Sequence, residues 1–262
     1  MTYLMASEQE AERLIAQERA NRSLERLRLT GLTAGARVLD AGCGSGAVDD
    51  SILEIVGPDG SVVGMDAVKD HVEAAALRFA GQPNASFRVG TLPETGLPDG
   101  SFDYVWSQYV FEYLRDPLAA LHELVRVTRP GGKVVVADID GVGLGNWPQP
   151  AKVTEGLARF EAALSQTGFD LFVGRKLFSF YREAGLRDIR VHLHPFYLVG
   201  GRADERMVND WKIRFATLRP LGIQAFEAPR AYDDFVEAYL RMLESPDTFK
   251  YAVVLTVEGV KP

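Results

Sequence analysis

A chain of 262 residues with 47% apolar and 25% charged side chains can bury a full core, as ordinary soluble globular proteins do. Its formal charge of −7 and pI near 5.2 argue against a general nucleic-acid binder, and the single cysteine, Cys43, excludes an internal disulfide or a cysteine-cluster metal site. The first residues lack an apolar signal core and no run of 18 apolar residues occurs, so the expectation is a cytoplasmic protein with no membrane contact.

In chain order, Ser7 to Leu32 reads as an amphipathic helix or pair of helices, with Leu14, Leu24, Leu27 and Leu29 between Glu and Arg residues. Arg37 to Leu39 is a strand that ends in Asp40 and turns through Gly42-Cys43-Gly44-Ser45-Gly46. A helix follows from Val48 to Val56, stopped by the turn Gly57-Pro58-Asp59-Gly60. Ser61 to Asp66 is a second strand, Val68 to Ala80 a helix, and Ser86 to Val89 a third strand. Phe102 to Ser107 is the fourth. Asp116-Pro117 opens a helix with an acid at the cap and a proline at the first position, and that helix presents Leu118, Leu121, Leu124 and Val125 on one face. After Arg129-Pro130-Gly131-Gly132, Lys133 to Asp138 is a fifth, apolar strand. Strands alternating with helices call for a parallel sheet covered on both faces. Beyond Asp140 the alternation loosens: helices are expected at 150–166, 175–184, 202–219 and 232–243, strands at 189–193 and 251–257.

The turn after Asp40 is where chemistry is expected. Glycines let the main chain take positive φ and let a ligand approach without meeting a Cβ, while the next helix aims free N–H groups at the same place. Gly42-x-Gly44-x-x-Ala47 also satisfies the dinucleotide fingerprint, so the glycines leave the ligand open. Asp40 favours a cationic or amine-bearing group over a pyrophosphate.

The Asp-x-Gly-x-Gly-x-Gly form of Asp40 to Gly46 resembles the first motif of class I S-adenosylmethionine (SAM) dependent methyltransferases. The likeness is close over about Arg37 to Asp138. It implies an α/β, doubly wound, Rossmann-like sheet of seven mostly parallel strands, the last antiparallel, with helical lid insertions. The implied organisation is a single domain over 1–262: an N-terminal helical cap at 1–35, a SAM-binding core at 36–140, core completion with substrate-lid insertions at 141–249, and a final strand at 250–262. By the resemblance, Asp40, Gly42, Gly44 and Gly46 cradle SAM. Asp66, with the adjoining Ala67, binds the ribose diol, and His71 lies where the family sets a residue against adenine. The family commonly has Gly-Asp after the third strand; here Gly90-Thr91 stands instead, leaving Thr91 and Leu92 for the adenine edge. Ser107 falls where the fourth strand runs along the cofactor. Tyr3 and Arg13 belong to a run resembling the leading helix that folds over SAM in small-molecule methyltransferases.

The acceptor is expected to be a small hydrophobic or aromatic metabolite, because the lid insertions are rich in aromatics, among them Trp147, Phe160, Phe169, Phe172, Phe178, Tyr181, Phe196, Tyr197, Trp211, Phe215 and Phe226. In-line methyl transfer relies on alignment and dehydration, and a base is needed only where the acceptor loses a proton. Asp140, His192 and Tyr109 are the candidates, with Glu112 near the last; no carboxylate set asks for a metal. Two other readings stand: a SAM-binding protein of this fold with a non-methyl-transfer role, and, more remotely, an NAD-dependent oxidoreductase, which gives Asp40 no role and would lack a Tyr-x-x-x-Lys pair. A nucleic-acid substrate is disfavoured by charge and by the absence of an Asn/Asp-Pro-Pro-Tyr motif.

Overall fold

The computed structural model describes residues 23–262. Within them seven strands form one sheet: β1 (Arg37–Ala41), β2 (Ser61–Asp66), β3 (Ala85–Val89), β4 (Phe102–Gln108), β5 (Thr128–Trp147), β6 (Arg187–Gly200) and β7 (Phe249–Val260). Their order is β3-β2-β1-β4-β5-β7-β6, and β7 alone runs against its neighbours. The order reverses between β1 and β4, which opens a crevice at the carboxyl ends of these strands. The central strands β1 and β4 and the first part of β5 are apolar on both sides because both sides are covered there. Val38, Leu39, Val105 and Val134 to Val136 are fully or almost fully buried, each stabilising the fold by about 1.5–3 kcal/mol.

Helices α1 (Ser23–Leu29) and α2 (Asp49–Val56) close one face, on a cluster that includes Leu27, Ile52, Tyr104 and Trp106. Helices α3 (Lys69–Arg78) and α4 (Pro117–Val127) lie along the chain as the sequence predicts. The Asp116 carboxylate accepts the Ala119 N–H at 2.9 Å, so α4 starts at the expected cap.

Three departures from the sequence reading matter for the site. The fifth strand does not stop at Asp138; it continues to Trp147 through a register break between Asp140 and Gly145. Gly141 and Gly143 take positive φ there, so a stretch that reads as a loop is a bent strand still paired with β7. The sixth strand likewise runs to Gly200, with Pro195 tolerated at a second break on an edge strand. The helix expected at 175–184 is α6 (Val173–Glu183), and it is no lid: Leu177 and Tyr181 are fully buried against the sheet with Val136 and Val257.

The lid proper is α5 (Ala151–Gln166) with α7 (Glu205–Thr217), α8 (Arg219–Phe226) and α9 (Pro229–Leu243). It holds its own aromatic core of Phe160, Phe215, Phe226, Tyr232, Phe235 and Tyr239. The sequence pattern joins α7 to Arg219 and misses α8, which begins at Arg219-Pro220 with proline in its first turn. Among the described residues no helix is long and apolar enough to cross a membrane.

Candidate functional site

β1 delivers Asp40, almost fully buried, to the carboxyl edge of the sheet, and the chain then turns back over the end of β2. The Gly42 and Cys43 N–H groups donate to the Met65 carbonyl at 2.7 and 3.1 Å. Gly42 has φ +87°, and a Cβ there would meet Val110 Cγ2 at 2.2 Å. Gly44 has φ +54°, and a Cβ there would meet nothing within 4 Å, so this turn faces open space. The Asp66 carboxylate ties the turn down: Oδ2 accepts the Gly44 N–H at 2.9 Å and Oδ1 the Val68 N–H at 2.8 Å. A carboxylate offers about four acceptor positions, so capacity remains on both oxygens. His71 Nδ1 lies 3.6 Å from Oδ1.

The turn opens onto a cavity of about 870 Å³, within the size range of small-molecule sites. One half is built by β1, β2 and β3 and the turns after them, and there the sequence candidates Asp40, Gly42, Gly44, Asp66, Ala67, His71, Thr91 and Leu92 all line it. The other half is mostly apolar, walled by Leu144 of the extended β5, Leu157 and Phe160 of α5, and Trp211 and Phe215 of α7, with Glu161 and Arg214 from the same two helices. β4 stands between β1 and β5, so its carboxyl end lies at the junction, where Gln108, Tyr109, Val110 and Glu112 line the wall. Tyr109 takes φ +56°, a conformation costly for an aromatic residue and concentrated at functional sites, and its ring packs edge-on to Phe196.

Several predicted residues fall elsewhere. Ser107 is fully buried and its hydroxyl donates to the Ala41 carbonyl at 2.8 Å; it joins β4 to β1, and Gln108 lines the cavity in its place. Gly46 lies behind the turn, where a Cβ would meet the Phe79 ring at 2.7 Å. Asp140 sits past the sheet edge but is held by Arg175 through contacts of 2.8 and 2.9 Å and does not line the cavity. His192 points to the opposite end of β7, where its Nε2 lies 2.8 Å from Glu258, which also takes Lys133 at 2.5 Å. Tyr3 and Arg13 lie outside the described residues. Of the expected lid aromatics, Phe160, Phe169, Phe196, Trp211 and Phe215 line the cavity, whereas Tyr181 is sheet core and Trp147 is exposed.

Two fully buried carboxylates frame the site differently. Asp138, at the end of the regular part of β5, accepts N–H bonds from Phe111 at 2.8 Å, Glu112 at 3.3 Å and Ile139 at 2.8 Å, fixing the turn that carries Tyr109 and Glu112. Burial nonetheless pushes its carboxyl up to about 7. Asp49, in the first turn of α2 under the glycine turn, has no hydrogen-bond partner on either oxygen, and burial pushes it up to about 7 against the pull of Arg78. Burial also raises the Cys43 thiol, helped by Asp40, so this cysteine is an inert filler of the turn. No group of three or more His, Cys, Asp or Glu side chains among the described residues could hold a metal ion.

Residues 39–136 match the family described as a methyltransferase domain. The chain is 32% identical over 149 residues to an uncharacterised methyltransferase of Schizosaccharomyces pombe, a match covering 54% of this chain and 53% of the relative. It is 35% identical over 105 residues to a demethylmenaquinone methyltransferase of Staphylococcus aureus, covering 40% of this chain and 44% of that one. The chain thus spans about half, or less, of the length of the curated relatives it matches. In solved structures it is similar to a SAM-dependent methyltransferase from Aquifex aeolicus, with a TM-score of 0.58 and 18% identity over 97% of this chain and 100% of that one, a likeness of fold.

Proposed function

We propose that this chain is a class I SAM-dependent methyltransferase that transfers the methyl group to a small apolar or aromatic acceptor held under the α5–α7 lid. The single observation that carries this reading is the division of one cavity into a carboxylate-and-glycine half and an aromatic half.

The residues present fit SAM. The space beside Gly44, free of protein atoms where a Cβ would stand, admits a ligand against the main chain. The remaining acceptor capacity of the Asp66 carboxylate suits a vicinal diol, and Asp40 suits a cationic amine. His71, Thr91 and Leu92 are left for the adenine end.

When bound, SAM supplies an electrophilic methyl group on a sulfonium. The chain's own contribution is placement. Tyr109 and Glu112 lie at the junction of the two halves and orient the acceptor's polar atom, while Leu157, Phe160 and Trp211 exclude water around it. For an acceptor that carries a proton, the buried Glu112 carboxylate is the group best placed to take it. Asp140 and His192, being committed to Arg175 and Glu258, have no such part.

The test is transfer of labelled methyl from SAM to a panel of apolar aromatic alcohols, amines and carbon nucleophiles. Label is expected in at least one apolar acceptor and not in nucleic acid. Tight SAM binding with no label leaving it for any acceptor would favour a binding role for the same fold.

A further inference from the structure

We infer that the outer face of the β5–β7–β6 sheet is the contact surface for a second copy of this chain. The face is defined by register. Phe249 pairs with Trp147 on one side and Gly200 on the other, Tyr251 with Gly145 and Leu198, Leu255 with Leu193, and Val257 with Val191. Alternate residues of a strand share a face, so these side chains form one surface with Val253 and Pro195 between them. α6 covers only its inner end, at Val257. Beyond it Trp147 is 76% exposed, Leu193 and Leu198 are each 65%, and Val191, Phe249 and Tyr251 lie between 44% and 47%.

The area and make-up of this face select its occupant. An exposed aromatic side chain presents roughly 150–250 Å², so the six offer on the order of 600–700 Å² of apolar surface, at or above the largest patch of an ordinary monomer. That approaches the roughly 800 Å² per partner of a stable association. The Asp140–Arg175 ion pair stands on the β5 side of the face, where Asp140 is in register with Val253; the six exposed side chains themselves are uncharged. Asp140 is already neutralised by Arg175, and no unpaired charge on the face is set to meet a partner of opposite charge, so the surface is matched by one as apolar as itself.

Its shape matches its own copy. Bulky Trp147, Phe249 and Tyr251 occupy one end, standing proud beside Gly145 and Gly200. A lower aliphatic shelf of Val191, Leu193, Val253 and Leu255 occupies the other. A two-fold axis through the middle sets the aromatic end of each copy on the aliphatic shelf of its partner, which is the isologous arrangement. Packing is face to face. Strand addition at the β6 edge is opposed by Pro195, which lacks an N–H, and by breaks in register at Arg187/Arg190 and Pro195/Tyr197.

Sedimentation equilibrium of the full chain at roughly 10–50 µM should give a dimer, a range ordinary for an interface of this size. Leu198→Arg and, independently, Trp147→Lys should each weaken it by at least about tenfold, with far-UV dichroism and melting temperature unchanged. Mixed chains carrying Trp147→Cys and Leu193→Cys should cross-link to each other in preference to themselves, since Cys43 is buried and does not compete. A monomer throughout this range, a dimer unmoved by both charge variants, or a monomer that floats with phosphatidylcholine vesicles would overturn the proposal, the last pointing to a lipid surface.

Discussion

The two halves of the cavity are built by different means. The half over β1 to β3 is made of main chain and carboxylates: two N–H groups on Asp66, two on the Met65 carbonyl, and a turn shaped by Gly42 and Gly44. The half under the lid is made of side-chain packing, with Phe160, Trp211 and Phe215 drawn from helices separated by the whole of β6. A main-chain cradle tolerates little substitution at a few positions. A packed wall is set by volume and accepts many sequences. Cofactor binding and acceptor choice should therefore respond to different residues.

The largest expected effect comes from the first half. Asp66→Ala removes a charged acceptor and should weaken SAM binding by roughly 10- to 150-fold, the equivalent of about 1.5–3 kcal/mol, as titration calorimetry would measure. The turn would also lose its two N–H anchors, so a modest drop in melting temperature is expected beside it. Unchanged affinity would erase the distinction between the halves.

Trp211→Ala sharpens it from the other side. This side chain lines the apolar half and packs on Phe215 and Tyr239 at 5.5 and 4.8 Å. Its loss should raise the acceptor KM by about tenfold, as an apolar contact worth 1–3 kcal/mol does, while SAM affinity stays within about twofold. Steady-state kinetics with an identified acceptor reads both. An equal loss on SAM would mean that the halves are one site.

That division also explains what the sequence made legible. Asp40, Gly42, Gly44 and Asp66 are readable because the cradle needs those residue types at those spacings, and all four line the cavity. Ser107 and Gly46 each neighbour the cradle but are spent on joining strand to strand or turn to helix. The far half was legible only as aromatic richness, since helical spacing does not tell Phe160, which lines the cavity, from Tyr181, which lies under the sheet. Asp140 and His192 stand out in the sequence only by their position along the chain. Their partners Arg175 and Glu258 are 35 and 66 residues away, so no local pattern announces them. The extended β5 was hidden by Gly141, Gly143 and Gly145, which read as loop but serve a bend.

Asp140→Asn and His192→Ala accordingly should leave kcat within a few-fold of the parent, below the roughly 10²–10⁴-fold that a general base contributes. A thousandfold fall at either, with SAM affinity intact, would move the reacting atoms out of the cavity. The smallest effect is on stability. Asp49 is raised from 3.8 to about 7 in the fold, so the folded chain holds a proton that the unfolded chain releases between those values. Its contribution is most favourable below about pH 4 and declines as pH rises toward 7. Asp49→Asn should thus raise the melting temperature by about 2–6 °C at pH 8 and by less at pH 5, read by thermal denaturation at both.

The most direct test of the account is a calorimetric titration of the unmodified chain with SAM, with its demethylated product S-adenosylhomocysteine, and with NADH. The cradle of Asp40, Gly44 and Asp66 predicts that the first two bind at one site per chain and that NADH does not. NADH binding without SAM binding would contradict it.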